Sequence, residues 1–291
     1  MLFMNYIKKE DILDTSDATA TAEDVLKDKT FYANGKKRVG TLEQSSGDYN
    51  TKIDLSGLTT CYPLTNNITE ISVLNTSSVT DTSNMFNSYS RLNKISLFDT
   101  SNVTTMNNMF KSCTNLTTIP LFNTQNVNNM SMMFHSCTSL YDVPLLETSQ
   151  VNTMRQMFYD CTNLPTVPLF NTVNVTDMYY MFNECSNLIS IPQFNTINVT
   201  TMDGMFYRCE KLTTVPVLNT SSVTSMKNMF SACTGLSDES LNNILTMCIN
   251  ATSYTETKTL KYIGMASSVA SRCQSLSNYQ PFLDAGWTSG Y

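Results

Sequence analysis

Seven valines stand 24 residues apart without slip, at Val79, Val103, Val127, Val151, Val175, Val199 and Val223. The Met-Phe pairs keep the same step from Met85-Phe86 through Met133-Phe134 to Met229-Phe230, as do the cysteines from Cys113 to Cys233 and the leucines from Leu92 to Leu236. A fixed period of about 20 to 50 residues marks a solenoid, in which each repeat is one coil. A single coil cannot bury its own apolar face, so equivalent residues must stack into continuous columns.

Within one repeat, "LTTIPLFNT" places Leu116, Ile119 and Leu121 in the L-x-x-L-x-L pattern of a leucine-rich repeat. In the other half, Val127, Met130, Met133 or Phe134, and Cys137 follow one another at three or four residues, the spacing of a helix. The expected coil is therefore a short strand followed by a short helix or 3₁₀ turn. Pro120, Pro144, Pro168, Pro192 and Pro216 fall in the strand, where each removes a ladder donor, so the strand must be very short. The column of Phe122 (Leu74, Phe98, Leu146, Phe170, Phe194, Leu218) is never polar and should be buried. The column of Leu121 admits Gln193 and should be partly exposed.

The fold class read from this pattern is an α/β solenoid of seven 24-residue coils with a small N-terminal hairpin element and an α+β C-terminal cap. Residues 1–50 form the N-terminal element, where Thr21 and Asp24 suggest an imperfect capping box and Asn34-Gly35 sits between two strand-like runs as a hairpin signal. "QSSGDYN" reads as a linker. Residues 51–78 are a partial first coil with Ile71 and Val73 in register, and 79–236 are the solenoid proper. Residues 237–291 are the cap: Ser237 is a candidate N-cap for an amphipathic helix bearing Leu241, Ile244, Leu245 and Cys248 on one face. "KTLKYIG" reads as a strand and "ASSVASRCQSL" as a second short helix.

Composition removes several function classes. A net charge of −6 and the shortness of the one basic run, Lys36-Lys37-Arg38, leave no electrostatic footprint for nucleic acid. No run of about 18 apolar residues exists, so no membrane insertion is expected. "MLFMNYIKKEDILD" has charges where a signal peptide has its apolar core, which predicts that the chain does not use the general secretion route. Six of the nine cysteines share one column; stacked side chains there point in parallel, so free buried thiols are expected rather than disulfides. With no C-x-x-C and His135 as the only histidine, neither a metal site nor a cofactor is expected, and the methionine columns are core. No glycine-rich phosphate loop, G-x-S-x-G or H-E-x-x-H occurs, and the chain is read as a non-enzyme.

Columns that vary within one chain are those the core does not dictate. Four of them lie at offsets i, i+1, i+4 and i+5, reading Ser131, Met132, His135, Ser136, then Arg155, Gln156, Tyr159, Asp160, then Tyr179, Tyr180, Asn183, Glu184, then Asp203, Gly204, Tyr207, Arg208. Tyr and Arg are enriched where surfaces recognise partners. The candidate binding residues are Arg155, Tyr159, Asp160, Tyr179, Tyr180, Glu184, Tyr207 and Arg208. Asp160, Glu184 and Arg208 share one column on consecutive coils. Two carboxylates one coil apart, about 5 Å, match the separation in a retaining glycosidase, and an exposed column with a weak Glu184–Arg208 contact is the simpler alternative.

The repeat "NVTTMNNMFKSCTNLTTIPLFNT" resembles the BspA-like leucine-rich repeats of bacterial surface proteins over roughly residues 54–236. That resemblance implies a binding or adhesion module. "DATATAEDVLKDKTFYANGKKRVGTL" resembles a short element of phage and prophage tail and fibre proteins built around T-A-x-x-[IV]-L and N-G-x-x-x-x-G-T. Together they imply a non-enzymatic virion protein of a tail, baseplate or fibre. Its N-terminal element would dock to other virion structural proteins, and its solenoid would bind a host-surface protein or glycan. The alternatives are a bacterial cell-surface adhesin, a structural virion decoration, and a glycan hydrolase using Asp160 and Glu184. Homo-oligomerisation stays open.

Overall fold

The computed structural model describes residues 30–33, 36–39, 50–54, 69–74, 76–254 and 261–288. Asp81 bridges Thr105 in parallel, Thr105 bridges Asn129, and the series continues through Thr153, Asp177 and Thr201 to Ser225. Each partner lies 24 residues further along, so the phrases stack as successive coils. The chain is a repeat solenoid.

The Met-Phe half of the coil is neither the helix nor the 3₁₀ turn that its spacing predicts. In the coil beginning at Val151, the N–H groups of Met157, Tyr159 and Cys161 each close a turn onto the carbonyl three residues back. The intervening N–H groups of Met154, Gln156, Phe158 and Asp160 leave the coil, donating to the carbonyls of Asp177, Tyr179, Met181 and Asn183 at 2.7–3.0 Å. A helix directs its N–H groups along its own axis; here alternate donors bond to the next coil instead. The geometry needs left-handed backbone at two places per coil, and Gln156 (φ 53°) and Asp160 (φ 56°) supply it. Their counterparts in other coils, such as Asn108, Ser112, Tyr180, Glu184 and Arg208, do the same. Both conformations bring residues three or four apart to one side, which is why apolar spacing did not separate them.

The strand half is more reduced than expected. β1 (Thr30–Ala33) and β2 (Lys36–Val39) pair antiparallel with Ala33 opposite Lys36, and the Asn34-Gly35 turn read from the sequence lies outside the described residues. The capping box at Thr21 lies outside the described residues, as does nearly all of the linker. β3 (Asn50–Asp54) pairs in parallel with β4 (Glu70–Leu74), which pairs with β5 (Lys94–Ile95). Beyond β5, only a Ser190↔Thr214 bridge represents the expected strand among the described coils. A proline in each middle coil removes a donor there. Without alternation to bury them, the Leu121-column residues stand well out of the protein: Leu97, Leu121, Leu145 and Leu169 are 59–63% exposed. From Phe98 to Leu218 the Phe122 column is buried, as predicted.

The core consists of columns. Phe110, Phe134, Phe158, Phe182 and Phe206 stack ring on ring at 5.6–5.8 Å for the three closest to parallel pairs, and are fully buried with the valine, methionine and leucine columns. Cys113 to Cys233 are free and buried, and each thiol donates to the carbonyl of the phenylalanine 27 residues earlier, as Cys161 does to Phe134 at 3.1 Å. That carbonyl already accepts an N–H from its own coil, so the thiol uses its second lone pair. A buried threonine column was not anticipated. Thr100, Thr124, Thr148, Thr172 and Thr196 each donate to the carbonyl 23 residues ahead, at 2.7–2.9 Å.

At the C-terminal end, α1 (Asp238–Asn250) begins where predicted, with the Ser237 hydroxyl accepting the Ser240 N–H. It buries Leu241, Ile244, Leu245 and Cys248, and Ser240 donates to Thr213 O while accepting the Val215 N–H. β6 (Lys261–Tyr262) pairs with β7 (Trp287–Thr288), and α2 (Ser267–Cys273) and α3 (Tyr279–Asp284) lie between them in sequence. Met265 bridges Phe230, continuing the donor row past the last Met-Phe pair.

Two outcomes follow. Ser112 has φ 59°; Ser112→Val should cost about 1–3 kcal/mol through the strained β-branched backbone, whereas Ser112→Gly should be nearly neutral, read from urea midpoints. Burial raises the thiols of Cys113 and Cys233 to about 12 and holds the others of that column above the ordinary range. The native state therefore keeps the proton that the unfolded chain releases above about pH 9, so stability is full below that pH and falls as pH rises. The loss should approach ~1.4 kcal/mol per thiol per pH unit. Cys161→Ser should flatten a pH series of urea midpoints by one thiol's share; an unchanged slope would contradict it.

Candidate functional site

The turn half of each coil places two pairs of adjacent residues on one side: one pair before and at the first left-handed position, one before and at the second. In the Val151 coil these are Arg155-Gln156 and Tyr159-Asp160; in the next, Tyr179-Tyr180 and Asn183-Glu184; then Asp203-Gly204 and Tyr207-Arg208. The backbone of these residues is held by inter-coil hydrogen bonds, so side-chain identity is free to vary.

All eight candidate residues are brought onto this face. Tyr159, Tyr179, Tyr180 and Tyr207 are half-buried, with Arg208 exposed. His135 stacks on Tyr159, centroids 4.5 Å apart and planes 11° from parallel, and Tyr159 meets Tyr180 at 6.5 Å. Tyr180 also packs on Tyr179 at 4.3 Å. The Arg155 guanidinium lies 3.8 Å from the centroid of Tyr179 and 3.6 Å from the Asp177 carboxylate, while Asp177 also accepts the Tyr179 N–H. Arg208 lies 5.3 Å from the Tyr207 centroid and 3.3 Å from Glu184. These ion pairs are solvent-accessible and contribute about 0–1 kcal/mol each, so they orient side chains more than they stabilise the fold.

Burial raises the Tyr159 and Tyr180 hydroxyls above the usual tyrosine range, with the Glu184 and Asp160 charges adding to it at Tyr159 and the neighbouring Tyr179 at Tyr180. Burial also lowers His135, with Lys111 acting in the same direction. Tyr159, Tyr180 and His135 therefore face one another as neutral groups at ordinary pH. The two carboxylates considered for hydrolysis sit in one left-handed column, and Glu184 is engaged by Arg208.

Three participants escaped the candidate set. Gly204, at φ 55°, leaves room for Tyr180: a Cβ there would come within 2.6 Å of the tyrosine ring. Asp177 anchors Arg155. Asn183 occupies the column that carries Tyr159 and Tyr207 on the flanking coils, is 2% exposed, and its Oδ1 has no hydrogen-bond partner. The signal for Asn183 was present as a small amide interrupting an aromatic column. Among the described residues no group of three or more His, Cys, Asp or Glu could hold a metal ion, and no helix is long and apolar enough to cross a membrane.

Gly204→Ala should push Tyr180 off its seat and disturb the tyrosine cluster. Its expected cost is about 1–3 kcal/mol, with a change in near-ultraviolet circular dichroism; an unchanged spectrum would show that Tyr180 does not depend on this gap.

No curated protein matches the chain. Among solved structures, a leucine-rich repeat protein from T. pallidum is 19% identical with a TM-score of 0.44, covering 68% of this chain and 88% of the other. One from Eubacterium ventriosum is 20% identical with a TM-score of 0.36, covering 69% of this chain and 45% of its own. One from Bacteroides ovatus is 15% identical with a TM-score of 0.25, covering 73% of each. A family model matches residues 57–167 and 141–244, which together take in more than half of the sequence. The chain belongs to the family described as "Mycoplasma protein of unknown function, DUF285".

Proposed function

We propose that the chain is a non-enzymatic recognition module: a leucine-rich-repeat-type solenoid of seven 24-residue coils, closed by residues 237–291, that presents its tyrosine- and arginine-bearing face to a ligand. The observation that carries this reading is the clustering of Tyr159, Tyr179, Tyr180 and Tyr207 on one half-buried face, where the backbone is fixed and the side chains are not dictated by the core. Rigid aromatic side chains with polar tips give large contact area at low entropic cost, which is the chemistry of recognition surfaces. The engagement of Glu184 by Arg208 favours binding over the acid–base pair a hydrolase would need.

The setting that the N-terminal segment's likeness supports is a phage or prophage virion, with residues 1–50 docking to other virion proteins and the solenoid meeting a host surface. A bacterial cell-surface adhesin is the second reading, favoured by the likeness of the repeat itself to BspA-like sequences. Both place the same face against a partner.

Purified chain should bind candidate host cells, and Tyr179→Ala combined with Tyr207→Ala should weaken that binding about tenfold or more. Because both side chains are half-buried at the surface, the melting temperature should move little. Unaltered cell binding by the double variant would remove this face from consideration.

A further inference from the structure

Leu97, Leu121, Leu145 and Leu169 stand 59–63% exposed on four consecutive coils. Stacked about 4.8 Å apart, their side chains make one aliphatic ridge along the solenoid. The columns of Asn123 and Gln125 face the same way, because Phe122 and Thr124 between them turn inward. On the last two coils the leucines give way to Gln193 and Val217, and there the ridge meets a hollow of about 650 Å³. Val217, Leu218 and Asn219 line it from the coils, and Ile249 and Asn250 from the end of α1.

Scattered apolar residues on a surface call for no explanation, but a contiguous row of them marks a contact site. Ridge and hollow lie in one column of one face, so the chain carries both halves of a self-complementary contact. Consider a second copy related by a twofold axis that lies in the face and runs across the coils between Leu145 and Leu169. Its stack runs in the opposite direction, and the contact is isologous. Leu145 then meets the partner's Leu169, and Leu97 enters the hollow beside the partner's Val217. Another copy has the same coil spacing, so the whole ridge comes into register at once. Charge selects the same arrangement. Asp99 and Glu147, in the Asn123 column, come opposite the partner's Asn219 and Asn171. Copies stacked in the same direction would set Asp99 on Asp99 and Glu147 on Glu147, which repel, and would leave the hollows empty. Over six coils the three columns, with Ile249, Asn250 and Thr252, offer about 21 residues, within the roughly 20–30 that one side of a stable interface engages.

We propose that this face pairs two copies of the chain, stacked antiparallel, with the leucine ridge of each seated over the hollow of the other. The contact uses none of the tyrosines or arginines of the recognition face, so it stands or falls separately from that reading. Sedimentation velocity of the full chain should show a monomer–dimer equilibrium between about 1 and about 100 µM. Leu145→Asp, at an exposed position, should weaken the dimer about tenfold or more, with the far-ultraviolet circular dichroism and the melting temperature at low concentration unchanged. Tyr179→Ala with Tyr207→Ala should leave the dimer intact. Direction is read by cross-linking with an added oxidant: Leu97→Cys combined with Val217→Cys should join residue 97 of one copy to residue 217 of the other, mapped by peptide mass spectrometry, while Leu97→Cys alone should give no 97–97 link. A chain that stays monomeric over that range, a dimer indifferent to Leu145→Asp, or a 97–97 link overturns the proposal. Loss of host-cell binding by Leu145→Asp in a chain that forms no dimer assigns the ridge to a different partner and overturns it as well.

Discussion

Every second N–H along the Met-Phe half of a coil leaves it to meet a carbonyl of the next, and the rest of the architecture follows from that row. Gln156, Phe158 and Asp160 donate forward, and Tyr179, Met181 and Asn183 receive, while intervening N–H groups close local turns. The row fixes the vertical relation between coils, so Phe158 must lie over Phe134 and under Phe182, and Cys161 must reach the Phe134 carbonyl. An inserted residue would misalign donors, rings and thiols at once, which is a physical reason for a period of 24 that does not slip.

The same row explains where variation is allowed. Gln156 and Asp160, Tyr180 and Glu184, Gly204 and Arg208 occupy left-handed positions whose structural work is done by N–H and C=O groups. Left-handed backbone usually favours Gly or Asn, yet here it carries Tyr, Glu and Arg. The strain per residue is offset by hydrogen bonds that recur in each coil, leaving side-chain chemistry to the surface. Architecture and the proposed recognition thus draw on the same residues through different atoms.

Much of this was legible in the sequence because it concerns what repeats. The stacked columns, the buried thiols, the Ser237 cap of α1 and the antiparallel pairing of β1 with β2 follow from spacing and turn chemistry that the residues state directly. The helical reading of the Met-Phe half failed for a definite reason: apolar spacing reports which side chains share a side, while the N–H directions that separate a helix from this turn are invisible to it. The threonine column is not legible from apolar periodicity because threonine is polar, although Thr124 and its equivalents repeat as strictly as the valines. At the candidate face the residue types were readable. Their pairings were not, since Arg155 reaches Asp177 from another coil and Tyr180 needs the missing side chain of Gly204.

Charge pairing also sets how such a face can work. Long-range steering depends on a patch of one sign, and its reach is limited by screening to about 10 Å at ordinary salt. Here each arginine has its carboxylate, and only 14% of the residues in the chain are charged, so little net field extends outward. On the proposed reading, selectivity then has to come from contact, through ring faces held in place by Arg155, His135 and one another. A solenoid suits that requirement because the inter-coil row leaves little freedom in the spacing of successive contact residues. On the proposed reading, a partner would therefore be matched by geometry that the core has already determined.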